Sequence, residues 1–288
     1  MKLFIPVLML LTLGAVGEVV KDFKEHACKE FFLNDEPPEF QTNGIASQVP
    51  VEGRYVQICQ RYKNKYHYAT LYDTFNKIPV YSAYRYERTA DCTVKRPNTP
   101  WKIEPQLEDN HNGGEMALEK NMRKNYSQAY DSDYEGTEYN RGHLFPVCQT
   151  NSAISAISTF TLTNAAPQGC AFNKRWFHKV ENDVRKSLKN CVNEGRKPYV
   201  VTGVVPSDGM KMANRVNVPD YFWTAYRCCG RNRCGFGGYI MHKDAEETRD
   251  FKDMIGFDGQ LSKYYNTQIT VFKSAGFTGT KRKYDERV

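Results

Sequence analysis

An arginine and a histidine separated by one glycine, Arg141-Gly142-His143, are the residues of this sequence best suited to chemistry on a phosphate. Neutral imidazole can take a proton from water near pH 7. Guanidinium binds phosphate oxygens through a planar fork and keeps its charge. Gly142 is expected to act as a hinge between the two side chains. The pattern predicts attack on a phosphate, whereas a histidine beside glycine in a loop is more commonly a solvated or hydrogen-bonded side chain.

A predicted amphipathic helix follows and carries two further polar residues. Apolar side chains recur every four residues between positions 173 and 192 against a charged face, and Gly195 and Pro198 end the helix. Asn173 and Glu181 lie eight positions apart, which separates them by about 80° around an α-helix and about 12 Å along it. They are therefore not expected to share the inner shell of one ion.

The donor set nevertheless suits one metal. If Asn173 is a direct ligand, Glu181 would orient metal-bound waters from outside the inner shell. One amide oxygen together with waters suits Mg²⁺, which gives up its waters reluctantly and binds through few protein ligands plus substrate phosphate. The plain alternatives are that Asn173 is an N-cap and that Glu181 forms a surface pair with Arg185.

The remaining elements must position these residues. Alternation and β-branched or aromatic content predict three antiparallel strands at 55–62, 66–72 and 78–86, a strand ending at Asn164, a buried strand at 199–205 and further strands at 221–228 and 237–242. Residues 104–138 are expected to be mostly loop, with a helix around 116–126 left open, and the tail from 278 to 288 is expected to fray. A segment ending at His143, the strand at 158–164 and the helix opening with Asn173 would form a strand-strand-helix unit. One α+β domain, spanning 18–288, is the economical prediction.

The N-terminus and the charge indicate where such a protein would work. Residues 1–17 have the pattern of a secretory signal peptide, and no later segment offers the roughly 20 apolar residues that a membrane span needs. Residues 1–17 contain one charged side chain, Lys2, so the net charge of +7 becomes +6 once they are removed. That mildly basic balance favours polyanions as partners without requiring them. We expect a secreted, extracellular protein of unassigned oligomeric state.

All nine cysteines lie in the mature chain. An oxidising destination predicts disulfides, with four bridges leaving one thiol, and the pairing cannot be deduced from the sequence. Cys228, Cys229 and Cys234 have no second cluster to complete a zinc site. Asn125-Tyr126-Ser127 is a glycosylation sequon, which predicts a glycan on Asn125 in an exposed loop.

Several motifs in order resemble one family. The segments 141–146 and 163–168, followed by Asn173, Trp176 and Glu181, resemble the DNA/RNA non-specific endonuclease family over roughly residues 55–275. The resemblance implies an α+β fold with a mostly antiparallel central sheet, flanking helices and a ββα-metal, or His-Me, finger, stabilised here by disulfides. It also implies a hydrolase that cuts phosphodiester bonds of DNA and RNA to 5′-phosphate products.

The resemblance implies a role for each matching residue. His143 would be the general base, Asn173 the ligand of Mg²⁺ with Mn²⁺ as a substitute, and Arg141 a phosphate-binding side chain. Asn164 and Glu181 match supporting positions around the ion and the scissile phosphate. Arg96 is a looser candidate for a second substrate-binding arginine.

One departure from the family pattern leaves alternatives open. Asn140 stands where the family usually has aspartate, so a carboxylate that could orient Arg141 is missing. A catalytically weakened nucleic-acid-binding pseudoenzyme is therefore one alternative. A disulfide-rich extracellular interaction module is another, although it gives no reason for the ordered His, Asn, Asn and Glu residues.

Overall fold

The computed structural model describes residues 19–42, 45–47, 53–87, 92, 94–120, 124–231 and 233–273. The strands, in chain order, are β1 Val19–Val20, β2 Glu39–Thr42, β3 Ile45–Ser47, β4 Tyr55–Tyr62, β5 Lys65–Asp73, β6 Ile78–Arg85, β7 Tyr139–His143, β8 Ala165–Gly169, β9 Lys197–Val205, β10 Lys211–Met212, β11 Val216–Asn217, β12 Tyr221–Cys229, β13 Cys234–His242, β14 Arg249–Phe251 and β15 Gln268–Thr270. The helices are α1 Pro105–Glu108, α2 Ala153–Ser158, α3 Cys170–Trp176, α4 Asn182–Asn193 and α5 Met254–Tyr265. A π-helical turn, Phe177–Glu181, joins α3 to α4, and 3₁₀ turns span Phe23–Glu25, Ala27–Phe31, Leu33–Asp35, Asp131–Asp133, Val147–Gln149 and Leu162–Asn164.

An eight-stranded antiparallel sheet forms the centre, in the order β1-β4-β5-β6-β9-β12-β13-β14. This sheet confirms the predicted strands at 55–62, 66–72, 78–86, 199–205, 221–228 and 237–242. A separate two-stranded sheet pairs β7 with β8. The expected α+β class with a mostly antiparallel sheet and flanking helices is therefore correct.

Alternation along β9 shows how the sheet is covered on both faces. Val200 and Val204 belong to one core cluster with Val184 and Leu188 of α4. Val201 and Val205, the intervening residues, belong to a second cluster with Phe257 and Leu261 of α5. Because successive side chains of a strand point to opposite faces, helices pack on both sides of β9. The continuous apolar run at 199–205 follows from this double burial.

Four disulfides join Cys28 to Cys59, Cys92 to Cys148, Cys191 to Cys228 and Cys229 to Cys234. Cys170 is free and exposed. The prediction of four bridges and one thiol is confirmed. Cys228, Cys229 and Cys234, the trio considered for zinc, all form disulfides. A second group with possible metal ligands, His26 with Cys28 and Cys59, has its two sulfurs bonded to each other. None of these sulfurs is therefore available as a thiolate ligand.

The helix left open by the sequence is absent, and one predicted strand is wrong. The helix considered at 116–126 is missing from its described residues, 116–120 and 124–126, because main-chain groups there bond elsewhere: Ala117 exchanges two hydrogen bonds with Ile103 at 2.9 and 3.0 Å. The strand expected at 158–164 is instead the end of α2, an extended residue and a 3₁₀ turn, and the second strand of the finger begins at Ala165.

Two further predictions concern other parts of the chain. The proposed signal peptide at 1–17 and the tail at 278–288 lie outside the described residues. None of the helices seen in the described part of the chain has the length and apolar character needed to cross a bilayer.

Candidate active site

Strands β7 and β8 and helix α3 form the finger that carries the candidate residues. The strands are antiparallel, with Arg141 opposite Pro167 and His143 opposite Ala165, and α3 starts directly after β8. Pro167 has no N–H to donate, which is tolerated because each strand of a two-stranded sheet is an edge strand. The predicted strand-strand-helix unit is therefore present, with its second strand later in the chain than expected.

Gly142 lies within β7 and is not a hinge. Its φ does not lie in the left-handed region, so residues other than glycine could adopt the same backbone conformation. A Cβ built on Gly142 would lie 2.2 Å from Cδ of Gln168, a side chain only 2% exposed. Glycine is needed here because the Gln168 side chain crosses the strand at this point, so the expectation of a hinge is corrected to one of close packing.

The finger and a preceding loop enclose a cleft of about 290 Å³. The cleft is lined by Arg96, Arg141, His143, Pro146, Val147, Cys148, Asn173, Lys174, Phe177, His178 and Glu181. The structure thus brings together five of the predicted site residues, Arg96, Arg141, His143, Asn173 and Glu181. Asn164 and Asn125 do not line it.

The imidazole of His143 lies between two aromatic rings. Its ring centroid is 4.9 Å from that of Trp101 and 4.8 Å from that of Phe160. The pKa of His143 is lowered to about 3, mainly by burial and also by the charge of Arg96, while a hydrogen bond to the main chain of Arg141 acts in the opposite direction. Nε2 has no hydrogen-bond partner among the described residues. The ring is therefore oriented by the main chain of Arg141, its Nε2 is buried without a protein partner, and the low pKa keeps the imidazole neutral at neutral pH.

Arg141 is oriented by the carboxylate of a residue ten positions earlier in the chain, Asp131. Its Nη2 lies 2.6 Å from Oδ1 of Asp131 and 3.1 Å from the Asp131 main-chain oxygen. The guanidinium carbon also lies 4.9 Å from the ring centroid of Tyr134. Nε of Arg141 is buried and has no partner among the described groups. One edge of the guanidinium is thus anchored, and the side chain lines the cleft.

Arg96 lines the cleft because a disulfide holds its loop there. The bond between Cys92 and Cys148 ties the loop carrying Arg96 to the segment that follows His143, and Cys148 itself lines the cleft. The guanidinium of Arg96 lies 5.0 Å from the ring centroid of Phe160, the ring that also contacts His143. Two guanidinium groups therefore flank one imidazole in a cleft suited to a phosphate group.

The π-helical turn changes the relation between Asn173 and Glu181. An i→i+5 turn contains one more residue than an α-helical turn. The eight residue steps from Asn173 to Glu181 therefore turn the chain about the helix axis by the angle that about seven steps give in a regular α-helix. That brings Glu181 to within about 20° of the angular position of Asn173, rather than the about 80° expected for an unbroken helix. Both side chains consequently line the same cleft.

Glu181 is half-buried in the wall of the cleft. Burial raises the pKa of Glu181 to about 7, and Arg96 acts in the opposite direction. Together with the Asn173 carboxamide, it offers the oxygen donors that hard divalent cations prefer. A dication beside it would stabilise its charged form, so the donor set fits Mg²⁺.

Asn164 has a supporting position behind the cleft. It is fully buried, and its Oδ1 accepts from Ser82 Oγ at 2.9 Å and from the Phe145 N–H at 3.0 Å. Its Nδ2 donates to the carbonyls of Phe145 and Thr159 at 3.2 and 3.0 Å. Because these bonds occupy the carboxamide, Asn164 fixes the segment after His143. Asn164 thus lies behind the cleft and not in its lining, and its supporting role in catalysis stays a prediction.

Sequence reasoning missed several residues around the cleft. His178 and Lys174 line it, and Trp101, Phe160 and Asp131 contact its side chains. His178 follows Asn173 by five positions, which would place it about 140° away on a regular α-helix, so helical spacing did not signal it. Nothing in the local sequence signalled Asp131, which approaches Arg141 only through the folded loop.

The sequon residue Asn125 lies in an exposed loop, as expected, although its side-chain nitrogen is engaged. Nδ2 donates to the carbonyls of Leu107 and Glu108 at 2.7 and 2.8 Å. A glycan on this nitrogen would replace one donor hydrogen, so at least one of these bonds would be lost.

This fold and cleft have counterparts among known proteins. A solved complex of EndoG with EndoGI aligns with the chain at a TM-score of 0.55 and 16% identity, covering 86% of this chain and 91% of that one. The likeness establishes a shared fold, that of a nuclease-type α+β sheet with a ββα finger.

The sequence comparisons define the family. The sequence model of the DNA/RNA non-specific endonuclease family matches residues 46–278, and the chain belongs to that family. Endonuclease domain-containing 1 protein of Homo sapiens is 32% identical over 259 residues, covering 85% of this chain and 48% of that protein. Its Mus musculus counterpart is 32% identical over 222 residues, covering 75% and 41%. A Nostoc nuclease is 26% identical over 136 residues, covering 47% of this chain and 46% of that protein. The chain thus spans about half the length of these relatives.

Proposed function

We propose that this protein is a secreted, Mg²⁺-dependent nuclease that hydrolyses phosphodiester bonds of DNA and RNA with little base preference. The observation that carries the proposal is the position of His143, which lines one cleft with Arg96, Arg141, Asn173 and Glu181 and whose Nε2 has no hydrogen-bond partner among the described residues. Relatives named nuclease, from Nostoc and from Cunninghamella echinulata, support it.

His143 is the general base in this proposal. Its Nε2 takes a proton from water as the water oxygen attacks phosphorus in line with the departing 3′ oxygen, which leaves a 5′ phosphate. A pKa of about 3 keeps the ring unprotonated at neutral pH but makes it a weak base. A bound phosphodiester brings negative charge beside the ring and raises this pKa, which strengthens the base when substrate is present.

Arg141 and Arg96 bind the phosphate. Arg141 is anchored by Asp131 and offers its remaining donors, and Arg96 approaches from the loop held by Cys92 and Cys148. Both stabilise the negative charge that grows on the phosphate oxygens in the transition state. Contacts to phosphate carry no base information, which accounts for activity on DNA and RNA alike.

Asn173 and Glu181 are the residues that would hold the metal. When bound, Mg²⁺, or Mn²⁺ in its place, would neutralise charge on the phosphate and on the leaving oxygen. Asn173 contributes a neutral oxygen and Glu181 a carboxylate on the same side of the helix. Lys174 and His178 border the same cleft.

Secretion is part of the proposal, and the four disulfides support it because such bonds persist in oxidising compartments. The apolar segment at 1–17 would direct export, and Asn125 would carry a glycan.

The test is digestion of supercoiled plasmid DNA and of RNA by the mature protein, with Mg²⁺ and with EDTA. His143→Ala should lose about 10²- to 10⁴-fold in rate with its thermal unfolding unchanged, as expected on removal of a general base. His111→Ala is the matched control, since His111 is exposed and contacts Asp109 outside the cleft.

Other outcomes favour the alternatives. Near-normal cleavage by His143→Ala would refute the assigned base. Nucleic-acid binding in EDTA by a wild-type protein that shows no Mg²⁺-dependent cutting would identify a pseudoenzyme. Absence of both binding and cutting would leave an extracellular interaction module.

A further inference from the structure

A group of basic side chains lies at the tip of the β12–β13 hairpin and at the adjacent start of β9. Arg231 and Arg233 are exposed in the turn, and Lys197 is exposed opposite Cys229 in the strand register. Glu194 is the carboxylate in contact with them, pairing with Arg196 and, at 2.9 Å, with Arg233. We call this group the hairpin cluster, comprising Arg196, Lys197, Arg231 and Arg233.

The hairpin cluster and the helix leading to it carry most of the net charge of the protein. Residues 182–197 and 230–234 contain seven basic side chains and two acidic side chains, a net charge of +5. The whole chain carries +7, so the other 267 residues together contribute +2. Such a concentration on 21 residues creates a local positive potential that the overall balance conceals.

Two adjacent disulfides hold the hairpin cluster in place. Cys191 at the end of α4 is bonded to Cys228, and Cys229 is bonded to Cys234 across the hairpin. The turn is closed by a hydrogen bond of 2.9 Å from the Gly230 N–H to the Arg233 carbonyl. A preorganised array of cations loses less entropy on binding a polyanion than flexible lysines on a loop would lose.

Helix α4 connects the hairpin cluster to the cleft. Glu181 lines the cleft and Asn193 ends the helix, twelve residues and therefore about 18 Å further along the axis. Arg185 and Lys189 follow Glu181 by four and eight residues, which is about one and two helical turns, so they lie on roughly the same side of α4 as Glu181. Phosphates of one B-form strand are about 3.4 Å apart along the helix axis, so about 18 Å corresponds to about five phosphates.

We propose that the hairpin cluster is an extended substrate site, which binds backbone phosphates about five nucleotides from the phosphate that is cut. The inference rests on the proposed nuclease function and adds to it a preference for long nucleic acid over short fragments. The partner is nucleic acid, because the cluster is joined by a basic helix to a cleft built for phosphate. Purely electrostatic contact there would not read sequence.

The test compares Lys197→Gln/Arg231→Gln/Arg233→Gln with a control of equal charge change, Lys21→Gln/Lys252→Gln/Lys263→Gln, whose lysines are exposed in other parts of the chain. Cleavage is measured on single strands of about four and about 24 nucleotides. The ratio of kcat/KM for the long strand to that for the short strand should fall about tenfold in the hairpin variant and stay unchanged in the control. An equal ratio in both variants would overturn the proposal.

A binding measurement separates this inference from the nuclease assignment. In a His143→Ala background with EDTA, fluorescence anisotropy of the long strand should show weaker binding for the hairpin variant. The slope of log K against log salt should decrease in magnitude by about 2, as expected for three lost phosphate contacts on a single strand. This readout works even if the protein proves not to cut. If the hairpin variant loses affinity for a heparin fragment and keeps its affinity for DNA and RNA, the hairpin cluster binds glycosaminoglycans and the proposal is wrong.

Discussion

The guanidinium of Arg141 is paired with the carboxylate of Asp131, with 2.6 Å between Nη2 and Oδ1. Asn140, the residue next to Arg141, instead places its Oδ1 3.6 Å from Sγ of Cys170. Neighbouring residues of a strand direct their side chains to opposite faces, so position 140 is poorly placed to orient Arg141. The departure from the family pattern at Asn140 is therefore offset by a carboxylate from another loop.

Asp131→Asn should reduce nuclease activity about tenfold with little change in stability. The substitution removes the negative charge that faces Nη2 at 2.6 Å and keeps the main-chain acceptor of residue 131, and the expected tenfold loss corresponds to about 1.4 kcal/mol. Steady-state kcat/KM on plasmid DNA measures it. Asn140→Asp is the matched variant and should change activity less than about threefold. A large gain from Asn140→Asp, with no loss from Asp131→Asn, would show that position 140 orients Arg141 after all.

The sequence predicted the central sheet and the long helix because their periodicity reflects burial. It failed at 158–164, where threonines alternate as in a strand but serve a buried polar network. Thr161 and Thr163 donate to Oε1 of Glu104 at 2.9 and 3.1 Å. The strand that is present, β8, contains a proline and a glycine, which disfavour a strand in the local sequence. Its extended conformation therefore depends on the hydrogen-bonded pairing with β7.

The candidate site was predictable in part for the same reason. Arg141, His143, Asn173 and Glu181 match family motifs and line one cleft, whereas Asn164 lies behind it. Helix spacing alone separated Asn173 from Glu181 by about 80°. The shared orientation of those two depends on a π-helical turn, for which the sequence offers no local signal. The approach of Arg96 depends on a disulfide, and that of Asp131 on tertiary structure.

Gly142→Ala should destabilise the protein by about 1 to 3 kcal/mol, as expected for overpacking in a filled site. The new methyl would overlap Gln168, which is too buried to move away freely. Chemical denaturation measures the loss. Gln168→Ala removes the obstruction, so the double variant should be more stable than the sum of the two single changes predicts. Additive effects would show that the Gln168 side chain does not cause the requirement for glycine.

One thiol per chain should react with a maleimide or with Ellman's reagent, in the native protein and after denaturation without reductant. Eight cysteines are bonded, and Cys170 is exposed. Cys170→Ser should abolish the signal and leave the unfolding transition in place. More than one reactive thiol after denaturation, or peptide mapping that finds Cys170 in a disulfide, would contradict the pairing.

Metal binding should weaken below pH 7 because of Glu181. Its pKa is raised to about 7 by burial, so below that pH the free enzyme holds this carboxyl protonated, and a cation must displace the proton. The half-saturating concentration of Mg²⁺ should therefore rise about tenfold for each pH unit below 7 and level off above it. His143 does not contribute to this rise between pH 5.5 and 7, since its pKa is lowered to about 3, mainly by burial. Binding of Mn²⁺ followed by electron paramagnetic resonance measures the affinity without relying on turnover. Glu181→Gln should bind the ion weakly with no dependence on pH between 5.5 and 8, whereas persistence of the dependence in that variant would assign it to another group.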